Sequence, residues 1–237
     1  MERWALIHIA LAGVWGGALA LERRGFLQAM FSRPLVAATG MGLILGDLQA
    51  GLYIGMLLEL FHLGSANLGA ALPDHDTLSA SATAAAAVTL AHQSGAESTP
   101  AHWTLALLLF VGMGRVGRKV DRMLERYTNQ LVVKAQLSLA RGELTRAVRN
   151  NLWGLWPHFA CFGLITAFCA SVGWLLSPYV DLLPLKILRG LAWAYPAMAC
   201  VSAAIAVRGA GARRGWIYAT MAAAVTIVLV VVKRGMI

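Results

Sequence analysis

The chain has 237 residues, of which 59% are hydrophobic and 13% are charged, and its formal net charge is +9. Ordinary soluble domains are about 25% charged, and a soluble core of this size cannot hide so much apolar surface, which lipid tolerates. The composition excludes a soluble globular protein, and it excludes a nucleic-acid binder because no basic soluble face with aromatic stacking groups is visible.

Apolar runs occur at about 3–21, 34–63, 77–93, 101–114, 152–177, 182–207 and 215–232. The first run resembles a signal peptide, but Leu21-Glu22-Arg23-Arg24 follows it without a small-x-small cleavage site, so we expect a retained span. The run 34–63 is interrupted by Gly46-Asp47, and the next two runs are too short or too polar to cross alone. Broken segments of this kind are typical of membrane proteins with a buried polar cavity.

The stretch 115–151 is basic and amphipathic. Its apolar residues recur at helical spacing and predict an amphipathic helix or helical hairpin at the membrane interface: Val116, Val120, Met123, Leu124, Tyr127 and Leu131. Nine basic residues accompany them: Arg115, Arg118, Lys119, Arg122, Arg126, Lys134, Arg141, Arg146 and Arg149. The positive-inside rule predicts that this segment lies on the cytoplasmic face and contacts anionic lipids.

The last third of the chain predicts three spans. The loop from Arg208 to Arg214 carries three arginines and is expected to be cytoplasmic. The run 152–177 then leads outward, 182–207 returns, and 215–232 leaves the C-terminus outside. Taken together, the runs predict an all-α, polytopic membrane protein with broken or re-entrant helices, organised as a single membrane domain over 1–237.

Polar residues are concentrated between Ser32 and Ser81, within apolar surroundings: Asp47, Gln49, Glu59, His62, Asn67, Asp74, His75 and Asp76. A carboxylate at membrane depth costs at least a few kcal/mol, which makes each a candidate functional residue. A partner arginine or a helix end near the headgroups is the alternative explanation. Glu59 is the strongest candidate because apolar residues flank it on both sides.

Small residues connect two of these carboxylates. Asp47, Gly51, Gly55 and Glu59 are spaced by four and would lie along one side of a continuous helix. This spacing suits a smooth groove with a carboxylate near each end, through which a polar ligand passes. It equally suits close packing of two helices, and the spacing alone leaves both open.

The stretch also contains a series of motifs, in order: Arg33-Pro34-Leu35, Leu45-Gly46-Asp47, Gly51, Gly55, Leu58-Glu59-Leu60, Leu63-Gly64, Asn67-Leu68-Gly69-Ala70 and Pro73-Asp74. In order and spacing this series resembles subunit IIC of the mannose/fructose/sorbose family of the sugar phosphotransferase system. Beyond the similar tract Ala91-His92-Gln93, the likeness is one of hydropathy and length.

The resemblance implies a bacterial inner-membrane subunit that forms a sugar channel with a second membrane subunit, IID. Soluble IIA and IIB subunits would carry the phosphoryl group, so this chain is expected to be a transport subunit and not an enzyme. Oligomers of IIC–IID units are expected. Carried over from the matching motif, the sugar-binding candidates are Asp47, Glu59, Asn67, Asp74 and Gln28. No catalytic residue, cofactor or metal is expected.

The sequence departs from the family pattern just before Arg33. Met30 stands where a glutamine is expected, and Gln28 could substitute for it after a shift. This departure favours an alternative function, a divergent, non-transporting membrane sensor or docking subunit of an incomplete phosphotransferase system.

Overall fold

The computed structural model describes residues 2–63, 73–91 and 98–209, together with residues 220 and 223. Nine α-helices make up the regular structure of these ranges, and they confirm the all-α prediction: α1 (Glu2–Arg24), α2 (Pro34–Leu45), α3 (Leu48–Leu63), α4 (Asp76–Ala91), α5 (Pro100–Phe110), α6 (Met113–Ala140), α7 (Leu144–Trp153), α8 (Trp156–Asp181) and α9 (Leu185–Gly209). The candidate Asn67 and the predicted span 215–232 lie outside the described residues.

Within the described residues, three stretches of helix are long and apolar enough to cross a membrane: Arg3–Arg24, Leu144–Val180 and Leu185–Arg208. The polytopic membrane fold predicted from the composition is therefore confirmed. Large apolar side chains such as Leu164 and Phe168 are exposed on these helices, as expected for a surface that faces lipid.

The run 34–63 forms a helical hairpin that breaks at the predicted position. Gly46 ends α2 in the left-handed conformation, with φ 85°, and its amide bonds back to the last turn of α2. At 12 and 16 residues, α2 and α3 are about 18 Å and 24 Å long, each shorter than a hydrocarbon core of about 30 Å. The hairpin is therefore a broken element within the membrane.

The glycines of the hairpin serve close packing. A Cβ added to Gly55 would lie 2.9 Å from the carbonyl oxygen of Leu35, and one added to Gly51 would meet the backbone of Ala38 and Gly42. The backbone of α2 therefore fills the side of α3 that carries these glycines. Of the two readings left open by the spacing, the structure supports helix packing and not an open groove.

Helix α4 lies at the centre of the bundle. Each residue from Thr77 to Ala91 is buried, and the helix packs against α1, α2, α3, α5, α6 and α8. Its many alanine, serine and threonine side chains allow this close approach from several sides. Helix α8 packs against both α4 and α1, and Gly163 of α8 sits against Gly13 of α1 with almost no space between the backbones.

The basic stretch forms a helical hairpin, α6 and α7, joined at Gly142 with φ 76°. The side of α6 that faces the bundle consists of Gly114, Gly117, Asp121 and Leu124. Only Leu124 of the predicted apolar residues is buried, whereas Met123 is 60% exposed. The two glycines let α6 approach the start of α4 closely, since a Cβ on Gly117 would lie 2.5 Å from the Cβ of His75.

Two ends of the bundle can be distinguished. The basic end is formed by the end of α1, the start of α2, the end of α3 and the starts of α4 and α6, and it includes Arg23, Arg24 and Arg33. The opposite end is formed by the α2–α3 turn, Ser98, the start of α5 and the start of α9. Helix α1 runs antiparallel to α8, with Gly13 against Gly163 and Gly17 against Phe159, so α1 begins at the end opposite the basic hairpin.

Candidate functional site

Glu59 and Arg33 form an ion pair at the basic end. Arg33 immediately precedes α2, where Pro34 occupies the first helical position, as proline prefers. The other carboxylate oxygen of Glu59 accepts a hydrogen bond from the backbone amide of Leu35 at 3.2 Å. Its side chain is only 15% exposed, so both oxygens of a nearly buried carboxylate are engaged by the start of α2.

A second ion pair lies beside the first. Arg23, at the end of α1, pairs with Asp76 at the first residue of α4 and donates to the hydroxyl of Thr77 at 3.1 Å. The carboxylate of Asp76 also accepts the amide of Thr77 at 2.9 Å, where a negative charge is favoured by the helix dipole. The two pairs join α1, α2, α3 and α4 at one end.

A cavity of about 70 Å³ opens between these pairs, lined by Arg33, Pro34, Glu59, His62, Leu63 and Asp76. It is much smaller than the roughly 300–1,000 Å³ of typical small-molecule sites.

The loop between α1 and α2 borders the cluster and is held by side chains. Glu22, which is 5% exposed, accepts the amides of Phe31 and Ser32 at 3.2 Å and 2.8 Å. Within the loop, Gln28 and Met30 have φ values of 49° and 65°, in the left-handed region that residues other than glycine seldom adopt. Both side chains are exposed, so the tract that departs from the family pattern is an exposed, strained loop.

Asp74 lies at the same end, but it faces α6. Its carboxylate is 3.4 Å from the guanidinium of Arg118. The adjacent His75 is 2% exposed, and its Nδ1 accepts the amide of Leu78 at 3.0 Å. Burial lowers the pKa of His75 well below its ordinary value, so we assign this ring a neutral, structural role at the start of α4.

Asp47 lies at the opposite end, where it caps α3. One carboxylate oxygen accepts the amide of Ala50 at 2.8 Å, and the other accepts the amide of Ser98 at 3.1 Å and its hydroxyl. The hydroxyl of Ser98 in turn accepts the indole N–H of Trp103 at 2.6 Å. Asp47 and Glu59 are twelve positions apart in sequence, about 18 Å along the axis of α3, so the two carboxylates cannot touch one monosaccharide.

The structure thus brings together part of the predicted set. Glu59, Asp74 and the loop containing Gln28 share the basic end, and Asp47 does not. Sequence reasoning missed the partners Arg23, Arg33 and Glu22. A partner arginine was the alternative explanation for each acid, but the pairs Arg33–Glu59 and Arg23–Asp76 each join two different helices, so the sequence did not identify which arginine pairs with which acid. Among the described residues, no group of three or more His, Cys, Asp or Glu side chains could hold a metal ion.

Sequence and structure comparisons agree with this architecture. The family model described as "PTS system sorbose-specific iic component" matches residues 6–234. A sorbose-specific EIIC component of Klebsiella pneumoniae is 50% identical over 62 residues, 26% of this chain and 23% of that protein. A mannose-specific EIIC component of Escherichia coli K12 is 44% identical over 67 residues, 28% of this chain and 25% of that protein. A fructose permease IIC component of Bacillus subtilis is 40% identical over 70 residues, 29% of this chain and 24% of that protein. These stretches span about a quarter of each relative.

Two solved structures share the fold across nearly the whole chain. One, described as a membrane protein, has a TM-score of 0.65 at 20% identity and covers 97% of this chain and 93% of its own. The other, the mannose transporter ManYZ in complex with microcin E492, has a TM-score of 0.58 at 19% identity and covers 98% and 96%. Together with the family match over residues 6–234, they leave one conclusion: the chain belongs to the family of sorbose-type IIC components of the sugar phosphotransferase system.

Proposed function

We propose that the chain is the IIC membrane subunit of a phosphoenolpyruvate-dependent sugar phosphotransferase system in the bacterial inner membrane. It would bind and translocate a sugar of the mannose, fructose, sorbose or amino-sugar class together with a IID subunit. The observation that carries the proposal is the presence of two ion pairs, Arg33–Glu59 and Arg23–Asp76, around a cavity at one end of an otherwise apolar bundle. Ionisable side chains are rare in membrane bundles, and those that face the bundle interior or a cavity usually mark a functional site.

The sugar site is proposed at the basic end. Neutral hydroxyl groups need both donors and acceptors, and the cluster offers guanidinium donors beside carboxylate acceptors. The proposed sugar ligands are Glu59, Asn67, Asp74 and Gln28, with Arg33 as an additional donor. Asp47 was predicted from the motif as a fifth ligand, but its distance from Glu59 favours a positioning role at the far end of α3.

A partner subunit is proposed to complete this site. The cavity of about 70 Å³ is too small for a sugar, and the bordering loop exposes large apolar side chains: Phe26, Leu27, Met30 and Phe31. Exposed apolar residues beside a polar cluster are typical of an interaction site. We propose that IID covers this face, and that IIC–IID units assemble further into an oligomer.

The basic end is proposed to face the cytoplasm. It carries Arg23, Arg24 and Arg33 as well as the basic α6–α7 hairpin, and cytoplasmic loops are enriched in such residues. Soluble IIB, phosphorylated by IIA, would then approach the sugar from this side. The phosphoryl-transfer residues are proposed to lie on those partners and not on this chain.

Uptake measurements test this function. The chain is expressed alone, with a cognate IID subunit, and with IID and IIB, in cells that lack their own transporters of this class. We expect accumulation of phosphorylated sugar only with all partners, and little uptake from the chain alone. Full uptake by the lone chain would contradict the partner proposal. Sugar binding without uptake in the complete set would favour the alternative, a non-transporting sensor or docking subunit.

A further inference from the structure

Helix α7 exposes an apolar stripe that the described part of the chain does not cover. Leu144, Val148 and Leu152 are spaced by four, so they lie on one side of the helix, and they are 64%, 51% and 59% exposed. Ala147 is buried instead, and α7 packs against α6. The helix is therefore amphipathic, with its apolar side turned away from the bundle.

The elbow between α7 and α8, formed by Gly154 and Leu155, is held in place by hydrogen bonds and by close packing on α6. A hydrogen bond of 3.1 Å links the Nδ1 of His158 to the carbonyl oxygen of Gly154, whose own amide bonds to Asn151 at 3.1 Å. A Cβ on Gly154 would lie 3.3 Å from the methyl group of Thr128 on α6. The glycine thus lets the elbow dock on α6 and fixes the direction in which the next residues point.

A groove of about 570 Å³ lies at this elbow, lined by Arg149, Leu152, Trp153 and Trp156. The two tryptophans are 58% and 60% exposed, and the ring of Trp156 stacks on Phe159 at 5.6 Å. The groove sits where the amphipathic α7 meets the membrane-spanning α8. Tryptophan is enriched at membrane–water interfaces because its ring is apolar and its N–H can reach the headgroups.

The groove has a cation at its polar edge. Arg149 forms no ion pair within the described residues, whereas Arg146, one turn earlier, pairs with Glu143 at 2.8 Å. The α6–α7 hairpin has nine basic and three acidic residues, so a net positive field surrounds the site. An apolar groove with one uncompensated guanidinium fits a ligand that has an anionic head and a long apolar chain.

We propose that this groove binds an anionic phospholipid. The phosphate would contact the guanidinium of Arg149, and an acyl chain would lie along Leu152, Trp153 and Trp156. A lipid is favoured over a partner helix because the groove combines an interfacial position, an outward apolar side and a single cation, which is the pattern of interfacial amphipathic helices. The proposal depends on the membrane fold and is independent of the proposed sugar site.

Quenching of tryptophan fluorescence by brominated lipids tests this proposal. The full-length chain is reconstituted in vesicles containing phosphatidylcholine and phosphatidylglycerol, with bromine on the acyl chains of one lipid at a time and at the same mole fraction. The fluorescence of the groove is obtained by subtracting the emission of the W153F/W156F variant from the emission of the wild type. We expect phosphatidylglycerol to quench this signal about fivefold more effectively than phosphatidylcholine, the ratio equivalent to about 1 kcal/mol for one basic residue at an anionic surface.

The two arginines of α7 provide a matched pair. Arg149→Gln should reduce the quenching ratio to about one, Arg149→Lys should retain most of it, and Arg146→Gln should leave it within about twofold of wild type. All three are surface changes, and size-exclusion profiles check that folding is preserved. An unchanged ratio in R149Q, an equal loss in R146Q, or an absence of quenching by either lipid would overturn the proposal. The last result would identify a protein-covered face.

Discussion

Glu59 of α3 and Arg33 at the start of α2 are joined by an ion pair, although 26 residues separate them in sequence. The pair ties the two ends of the broken hairpin together at the basic end, and Glu59 also receives the amide of Leu35. Glu59 is nearly buried, whereas Arg33 is about half exposed. The ion pair therefore holds α2 and α3 together and still leaves the guanidinium of Arg33 accessible to a ligand.

We expect Glu59→Gln to abolish most sugar uptake while costing little stability. An ion pair with a half-exposed partner such as Arg33 contributes about 1 kcal/mol or less to the free energy of unfolding. A hydrogen bond between a carboxylate and a sugar hydroxyl contributes about 1.5–3 kcal/mol to binding. Uptake should therefore fall between about tenfold and a hundredfold, with a small decrease in the melting midpoint of the detergent-purified protein.

The double variant R33Q/E59Q separates the two roles of Glu59. It removes both charges, so no half-buried charge is left unpaired, and its melting midpoint should recover towards wild type. Its uptake should stay as low as that of E59Q. Recovery of uptake in the double variant would mean that Glu59 is a structural residue only.

Asp47→Ala should destabilise the protein without weakening sugar binding at the basic end. The change removes the N-cap of α3, which contributes about 0.5–2 kcal/mol, together with the bonds to Ser98. Ser98→Ala is the matched control, because it removes one hydroxyl and leaves the cap, so its effect should be smaller. Melting midpoints and equilibrium sugar binding are measured for both, and a loss of affinity in well-folded D47A would make Asp47 a ligand.

Gly163→Ala should disrupt the contact between α1 and α8. Its Cβ would lie 2.7 Å from the backbone oxygen of Gly13, and overpacking of this kind costs about 1–3 kcal/mol. Gly190→Ala on α9 is the control, because a Cβ there meets nothing within 4 Å and alanine favours a helix. Expression level and melting midpoint should fall for G163A and not for G190A; equal behaviour would indicate that α1 and α8 are further apart than described.

Membrane orientation can be read from single cysteines. We expect cysteines at Arg122 and Arg141 to react with an impermeant thiol reagent only after the membrane is opened, and a cysteine at Lys186 to react in intact cells. Cys161, Cys169 and Cys200 are first replaced. Labelling of R122C from outside would invert the orientation and remove the argument for a cytoplasmic partner at this end.

Much of the fold followed from local patterns in the sequence. Gly46-Asp47 marked the break between α2 and α3 because a left-handed glycine and a capping carboxylate are local requirements. The helical spacing of apolar residues also located the basic hairpin. The side of α6 that faces the bundle did not follow from the pattern, because Gly114 and Gly117 pack α6 on the start of α4, a contact between distant segments that hydrophobic periodicity does not encode.

The candidate site was only partly predictable for the same reason. Glu59 stood out as an acid within an apolar run, but its partner Arg33 lies on another helix, and nothing local distinguishes a pairing arginine from an orientation signal. The four-residue steps from Asp47 to Glu59 suggested one groove. Only the packing of α2 against Gly51 and Gly55 reveals that this side of α3 is filled.

The most direct test of the proposed function is equilibrium sugar binding by the purified complex of this chain with a cognate IID subunit. Mannose, fructose, sorbose and glucosamine are titrated against wild type and against the E59Q, D74N, Q28A and S98A variants, after each complex is shown to assemble. We expect saturable binding of at least one of these sugars, weakened about tenfold or more by E59Q and left within about twofold by S98A at the opposite end. Saturable binding that E59Q, D74N and Q28A all leave within about twofold would contradict a sugar site at the basic end, and no binding of any of the four sugars by the assembled wild-type complex would contradict the proposed function itself.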